Sequence, residues 1–174
     1  FTAASAGDGE VPCGTSLFFG GVDVNNAFYQ HGIPPWLSEF FCLPGVTARE
    51  LQIEFFNGGK VKPDTVFYPQ AAVAPMGWTW GLHLVQKAHE AVLDQALRGE
   101  GATQAVDHQP VPLVAEGPVY TLYVDNFLVE GTDRDQVDRV VSTGRRALEA
   151  AGYECHPAEA ADSEMEMLGG LRKG

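Results

Sequence analysis

Basic residues are scarce in this sequence. Its 174 residues include 11 Lys and Arg against 23 Asp and Glu, which gives a formal net charge of −12 at pH 7. Most of the acidic excess follows residue 88. A protein that binds nucleic acid unaided needs clustered Lys and Arg to neutralise phosphates. The composition therefore argues against a self-sufficient nucleic-acid binder, and any such function must take positive charge from magnesium ions or from missing segments.

Cysteine and long apolar runs are also scarce. Cys13, Cys42 and Cys155 are far apart and form no C-x-x-C pair, so neither a zinc ribbon nor a disulfide framework is indicated. Free cysteines are typical of a reducing compartment. No apolar run approaches the roughly 18 residues of a membrane span. We therefore expect no membrane association and an intracellular location, cytoplasmic or nuclear.

What is present favours a globular domain, because apolar residues make up 45% of the chain and charged residues 20%. The chain begins at Phe1 without a charged-then-apolar leader, so we expect a fragment or a chain without its upstream part. Residues 1–15 are small, polar and Gly-rich, which predicts a flexible N-terminal segment. Residues 16–174 then remain as one domain with a core.

Apolar residues at spacings of three and four predict two helices, over about 79–97 and 133–151. Gly99 and Gly101 would end the first helix, and Thr132 or Asp133 would cap the second. The predicted inner faces are Leu82, Val85, Ala88 or His89, Val92 and Ala96 in the first helix, and Val137, Val140 or Val141, Leu148 and Ala151 in the second.

The remaining apolar segments predict strands. Residues 37–73 read as a small antiparallel insert, and the Pro-containing stretch 100–118 reads as a loop. The order of elements predicts an α+β fold, with an antiparallel sheet and two helices packed on one of its faces. The predicted strands are 16–24, 37–43, 50–56, 66–73, a hairpin over 119–131, a short strand from Tyr153, and 165–168.

Three segments carry candidate chemistry: VDVNNAFYQ (22–30), APMGWTWGLHLVQ (74–86) and TLYVDNFLVEG (121–131). In the third, Asp125-Asn126 between two apolar runs predicts a tight hairpin turn. If the strands that carry Asp23 and Asp125 are neighbours, the two carboxylates come together. Carboxylates on adjacent rigid strands can hold the divalent cations that nucleotidyl transfer uses.

Taken together, these segments resemble the palm of the reverse transcriptase family, in its retroelement type. The Asp-x-x-x-x-aromatic of the first segment, the Pro-x-Gly turn of the second and the Tyr-x-Asp-Asn of the third stand in the family's order. Phe28 matches the aromatic that excludes a 2′-hydroxyl. The resemblance implies Asp23, Asp125 and Asn126 as catalytic residues, Asp23 and Asp125 as metal ligands, Phe28, Met76, Gly77 and Gln86 as nucleotide-binding residues, and Tyr123 as a primer contact.

The implied activity is RNA-directed DNA polymerisation by two-metal nucleotidyl transfer, with Mg²⁺ or Mn²⁺, an RNA or DNA template-primer, and deoxynucleoside triphosphates. The resemblance covers the palm region and extends to Leu168-Gly169, which is similar to the start of the family's primer-grip hairpin. Full fingers and thumb have no counterpart here. Missing segments or a partner chain would have to supply them, so we expect a fragment or a degenerate copy of a retroelement polymerase.

Two departures from the family pattern concern the chemistry. Asn126 replaces the second Asp of the third segment, and an amide lacks the negative charge that favours Mg²⁺. The family's fourth motif matches Ala151-Gly152-Tyr153, but its Lys has no counterpart in 154–166, where His156 is available as a general acid. These departures favour one alternative, a non-catalytic palm-fold binding or scaffold module. A second alternative is an unrelated α+β domain with chance motif matches.

Overall fold

The computed structural model describes residues 14–167 and 170–173, with side chains described to residue 165. The chain divides into two compact units: a sheet unit, Phe1–Ala27 with Leu82–Gly174, and an insert unit, Phe28–Gly81. Most of the predicted flexible segment, residues 1–13, lies outside the described residues, as does Leu168-Gly169. Within the described part of the chain, no helix is both long enough and apolar enough to cross a membrane.

Among the described residues, runs of short strands are separated by three α-helices of very different length. A 3-10 helix, Ala27–Gln30, follows the first strand. The helices are α1 Pro35–Ser38, α2 Thr79–Leu97 and α3 Arg134–Ala150; the strands are β1 Phe18–Asp23, β2 Val46–Thr47, β3 Phe55–Phe56, β4 Gly59–Lys60, β5 Val66–Phe67, β6 Thr103–Gln104, β7 Val119–Tyr123, β8 Asn126–Gly131, β9 Glu159–Asp162, β10 Glu164–Met167 and β11 Gly170–Lys173.

A five-stranded sheet with the order β6-β7-β8-β1-β9 forms the centre of the sheet unit. β6 runs parallel to β7, and the other neighbours are antiparallel, so the sheet is mixed. The α+β class is therefore confirmed. The prediction of a purely antiparallel sheet with a loop over 100–118 is wrong, because β6 lies in that stretch and is too short to show any periodicity.

β1 contains two adjacent glycines where neighbouring elements approach closely. A Cβ on Gly20 would meet Val141 at 3.1 Å, and one on Gly21 would meet Leu128 at 2.9 Å. The pairing of β1 with β9 also changes register between Phe19 and Gly21. This close approach at Gly20-Gly21 lets α3 and β8 pack directly against the backbone of β1.

Both long helices contact the same face of the sheet. Gly20 on β1 faces Val141 of α3, whereas the Tyr120 hydroxyl on β7 donates to Asp94 Oδ1 of α2 at 2.8 Å. Gly20 and Tyr120 both lie opposite Val129 of β8, so they share one face. Asp23 is three residues along β1 from Gly20 and therefore belongs to the opposite face.

The helix bounds agree with the sequence prediction, but one buried face does not. α3 has the predicted Asp133 cap, whose side chain accepts from the N–H of Gln136, although Ala151 is exposed rather than internal. α2 buries Gly81, Val85, His89, Leu93 and Leu97, one residue per turn. The buried face of α2 is rotated about the helix axis from the predicted inner face. Leu82, predicted to be internal, is exposed, and the buried residues Leu93 and Leu97 were not predicted.

The insert unit has less regular structure than predicted. The predicted strand 37–43 is wrong, because Pro35 begins α1, a position where proline's fixed φ suits a helix. The predicted strand 50–56 is also wrong: only Phe55–Phe56 is extended, and it pairs with Gly59–Lys60 around a turn at Asn57-Gly58. Residues 66–73 contain β5, which pairs with β2. A similar correction applies in the sheet unit, where Tyr153 starts no strand and Cys155 makes an isolated bridge to Val24.

Candidate functional site

The pairing of β1 with β8 brings Asp23 beside the hairpin that carries Asp125. Asp23 ends β1 directly opposite Asn126, the first residue of β8. The N–H of Val24 donates to the carbonyl of Asp125 at 2.9 Å. These main-chain contacts fulfil the condition set by the sequence, that the strands carrying the two carboxylates be neighbours.

The two carboxylates influence each other electrostatically. Partial burial raises the pKa of the Asp23 carboxyl above its ordinary value, and the negative charge of Asp125 raises it further. His156 opposes this effect and lowers the pKa of Asp23, and its backbone N–H donates to the Asp23 carbonyl at 2.8 Å. The site therefore favours a positive charge near Asp23.

The hairpin turn is one residue earlier than the sequence predicted. Tyr123 pairs with Asn126, so the two central residues are Val124 and Asp125 rather than Asp125 and Asn126. Val124, the first central residue of the turn, has a positive φ of 54°. A positive φ at the first central residue alone is the pattern of a type II′ turn, in which glycine is preferred. Val124 is therefore a backbone outlier, and it directly precedes Asp125.

Asn126 is tied to the neighbouring carboxylate. Its Nδ2 donates to Asp125 Oδ1 at 2.8 Å. The amide thus satisfies one oxygen of Asp125 and removes the repulsion that a second carboxylate would bring there. This hydrogen bond stabilises the Asp125 carboxylate without a metal ion.

Gln86 reaches the same turn from α2. Its Nε2 donates to the carbonyl of Leu122 at 2.9 Å, and its Oε1 accepts from the N–H of Val124 at 2.7 Å. The amide of Gln86, a predicted nucleotide-binding residue, is engaged with the backbone of the hairpin. Tyr123, the predicted primer contact, is the half-buried last residue of β7.

The other predicted nucleotide-binding residues lie in the insert unit. Phe28 is half-buried in the 3-10 helix, and its Cε1 lies 3.7 Å from where a Cβ on Gly81 would stand. Met76 is 66% exposed, and Gly77 has a φ of 86°, a conformation that favours glycine. The predicted Pro75-x-Gly77 turn therefore does precede α2 and presents the Met76 side chain to solvent.

His89 is a residue of the site whose part sequence reasoning missed. It is fully buried, and its Nδ1 lies 2.6 Å from the carbonyl of Val124. Its ring packs edge-on against Tyr153 with centroids 4.5 Å apart. Burial lowers the pKa of His89, although the Val124 contact and the charge of Asp125 act in the opposite direction. A neutral imidazole therefore donates to the turn. A histidine on an apolar helical face was a signal in the sequence, but nothing there identified its partner.

Asp23 and Asp125 offer carboxylate oxygens, the ligand type that Mg²⁺ prefers. Mg²⁺ is usually bound by one or two carboxylates together with waters and substrate phosphates. Asp23 and Asp125 supply that number of carboxylates, and the charge of Asp125 raises the pKa of Asp23. Among the described residues, no group of three or more His, Cys, Asp or Glu side chains is arranged to hold a metal ion. Asn126 adds no charge, so a complete protein-only cage is absent from this part of the chain.

A cavity of about 450 Å³ lies elsewhere in the sheet unit, between α2, residues 104–111 and β7. Gln86 and Glu90 line one wall, and Tyr123 lines another. Neither Asp23 nor Asp125 lines it, so the cavity is separate from the carboxylate pair.

No protein-family model matches this chain, and no curated protein is significantly similar to it.

Proposed function

We propose that this chain is the palm of a reverse-transcriptase-like protein, an RNA-directed DNA polymerase that acts by two-metal nucleotidyl transfer. One observation carries the proposal: β1 pairs with β8, so Asp23 stands beside the turn that bears Asp125. The two residues are far apart in the sequence, and the resemblance to a palm requires that they lie next to each other in the fold.

The residues of the sheet unit have distinct parts in the proposed reaction. Asp23 and Asp125 hold Mg²⁺ or Mn²⁺ as ligands, and Asn126 keeps Asp125 oriented through its hydrogen bond. When bound, the metal ions activate the primer 3′-hydroxyl and neutralise the triphosphate. Tyr123 adjoins the turn at the position proposed for the primer.

Phe28, Met76 and Gly77 complete the proposal from the insert unit, as contacts for the incoming deoxynucleotide. An aromatic side chain under the sugar excludes a 2′-hydroxyl, so Phe28 is the proposed steric gate. The net charge of −12 means that template-primer binding depends on positive charge from metal ions, from fingers and thumb segments, or from a partner chain.

Metal binding is the direct test. We expect Mn²⁺ titrated calorimetrically into the purified chain to bind, and binding to be lost in Asp23→Asn and Asp125→Asn. Asp107→Asn is the matched control, because that carboxylate is 84% exposed and lies outside the pair. Equal Mn²⁺ binding by all four proteins would refute the proposal. Primer extension on an RNA template then measures activity, with Phe28→Ala expected to raise ribonucleotide use if synthesis occurs.

A second candidate function is a non-catalytic palm-fold binding or scaffold module. The contact from Asn126 Nδ2 to Asp125 Oδ1 favours it, since this amide compensates Asp125 without any metal. This candidate predicts folding and stability that do not respond to Mn²⁺, either in the original chain or in Asp23→Asn. A metal-dependent rise in Tm that requires both aspartates would exclude it.

A further inference from the structure

The turn that carries Asp125 contains a residue in an unfavourable conformation. Val124 has a φ of 54°, and a β-branched side chain is rarely found there because its Cβ crowds the backbone. Such strain persists only where the surroundings hold the residue in place. The side chain of Val124 is also almost fully buried, so packing contributes to that restraint.

Two side chains of α2 hold both polar backbone groups of Val124. Gln86 Oε1 accepts from its N–H at 2.7 Å, and His89 Nδ1 lies 2.6 Å from its carbonyl. Gln86 Nε2 also donates to the carbonyl of Leu122, two residues before. The amide of Gln86 therefore hydrogen-bonds both to the strained residue, Val124, and to Leu122 in the strand that leads into the turn.

The orientation of the Gln86 amide is itself fixed. Its Nε2 donates to Glu90 Oε1 at 2.9 Å, one helical turn along α2, and Lys87 pairs with the other oxygen of Glu90. Burial opposes ionisation of Glu90, but the hydrogen bonds from Lys87 and Gln86 outweigh it and keep the pKa of that carboxyl below its usual value. Both N–H groups and the oxygen of the amide thus have partners.

We propose that Gln86 is a positioning residue that holds the strained turn and thereby sets Asp125 against Asp23. Its consequence for metal binding rests on the proposed function, whereas its effect on the turn does not. This role differs from a nucleotide contact, because a nucleotide would have to displace the hydrogen bonds that fix the turn.

Amide hydrogen exchange at Val124, measured by NMR, tests the inference without any metal. Gln86→Met keeps the length of the side chain and removes its hydrogen bonds. We expect the Val124 amide to exchange about tenfold faster or more, since a buried donor loses its partner. The matched control is Gln95→Met, because Gln95 is an exposed glutamine on the same helix. Unchanged exchange at Val124 in Gln86→Met would overturn the inference.

If Gln86→Met does not fold, Gln86→Glu keeps an acceptor for the Val124 N–H and loses the donor to Leu122. It is combined with Glu90→Gln, so that two carboxylates do not face each other where Gln86 Nε2 now donates to Glu90. Exchange at Val124 should then stay within a fewfold of the original chain. Rapid exchange at Val124 in a folded Gln86→Glu variant would overturn the inference.

A rescue experiment connects the turn to the carboxylates. Glycine adopts positive φ without a steric penalty, so Val124→Gly should make the turn independent of Gln86. We expect Gln86→Met to weaken Mn²⁺ binding and the Gln86→Met/Val124→Gly double variant to recover it. Weakened binding that the double variant does not recover would overturn the inference. If the original chain binds no Mn²⁺ through Asp23 and Asp125, the proposed function fails and the exchange result alone decides.

Discussion

Asp23 and Asn126 lie directly opposite each other at the ends of β1 and β8, and the N–H of Val24 donates to the carbonyl of Asp125. The position of Asp23 relative to the turn is therefore set by main-chain pairing. It does not depend on the side chains of Asp23, Asp125 and Asn126. Substitutions that alter only the charge of these side chains should leave the pairing in place. Their effects can then be attributed to electrostatics and metal binding.

Asn126→Asp should strengthen Mn²⁺ binding. The substitution adds a carboxylate next to Asp125 and replaces a hydrogen bond of 2.8 Å with repulsion. Without metal we therefore expect Tm to fall by about 2–4 °C, the shift that corresponds to about 1 kcal/mol in a chain of this length. With Mn²⁺ we expect affinity to rise by about tenfold, because the cation gains a charged ligand. Thermal unfolding and calorimetric titration measure the two effects.

Asn57→Asp is the control for this substitution, because Asn57 stands in an exposed turn of the insert unit. It should change neither Mn²⁺ affinity nor Tm appreciably. A gain in Mn²⁺ affinity equal to that of Asn126→Asp would show that the added charge acts non-specifically.

Asp23→Asn should stabilise the metal-free chain at neutral pH. The folded pKa of Asp23 is raised above 3.8, so its contribution to stability is fully present below that pH and is lost as pH rises through the folded pKa. Solvent screens a carboxylate this exposed, so we expect a gain in Tm of no more than about 2–4 °C at pH 7. The gain should disappear near pH 3, and saturating Mn²⁺ should reverse it. A difference in Tm that does not change with pH would contradict this account.

The main elements could be predicted because their signals are long and local. The 79–97 helix, the 119–131 hairpin and the capped 133–151 helix each extend over several periods of an apolar pattern, and all three form. β6 and the two-residue strands of the insert unit are too short to show a period. In residues 50–56 an alternating pattern occurs in a segment that is mostly turn, so alternation alone did not indicate a strand there.

The candidate site could be predicted from the sequence only in part. The proximity of Asp23 and Asp125 depends on a long-range pairing, and the resemblance to a palm supplied that expectation where periodicity did not. Gln86 and His89 act through backbone atoms of the hairpin, which no side-chain pattern specifies. The strain at Val124 was invisible for a physical reason: a valine in the sequence favours an extended conformation, and tertiary contacts override that preference.

Gly144→Ala should destabilise the sheet unit. A Cβ on this residue would overlap the ring of Phe127 and approach Leu93 Cδ2 to 3.1 Å, where α3 crosses β8 close to α2. Alanine favours a helix by about 1 kcal/mol over glycine, but overpacking a tight core typically costs about 1–3 kcal/mol. We expect a net loss in the free energy of unfolding in urea. Ser142→Ala, at an exposed position on the same helix, is the control and should be nearly neutral.

His89→Leu should lower stability and flatten its dependence on pH. The carbonyl of Val124 would lose its buried partner, which typically costs about 1–3 kcal/mol. The folded pKa of His89 is lowered below 6.5, so its contribution is present above pH 6.5 and is lost as pH falls from there through the folded pKa. The original chain should therefore lose stability across that interval more steeply than His89→Leu does.

His89→Asn separates the hydrogen bond from the titration, because an amide can donate to Val124 and does not ionise. It should recover part of the stability lost in His89→Leu while keeping the flatter pH profile. His108→Asn is the exposed control, since that side chain is 93% exposed. Urea unfolding at intervals between pH 5 and pH 8 gives the free energy of unfolding for each variant. Parallel pH profiles for the original chain and His89→Leu would mean that another group titrates, and that His89 does not link the stability of the turn to pH.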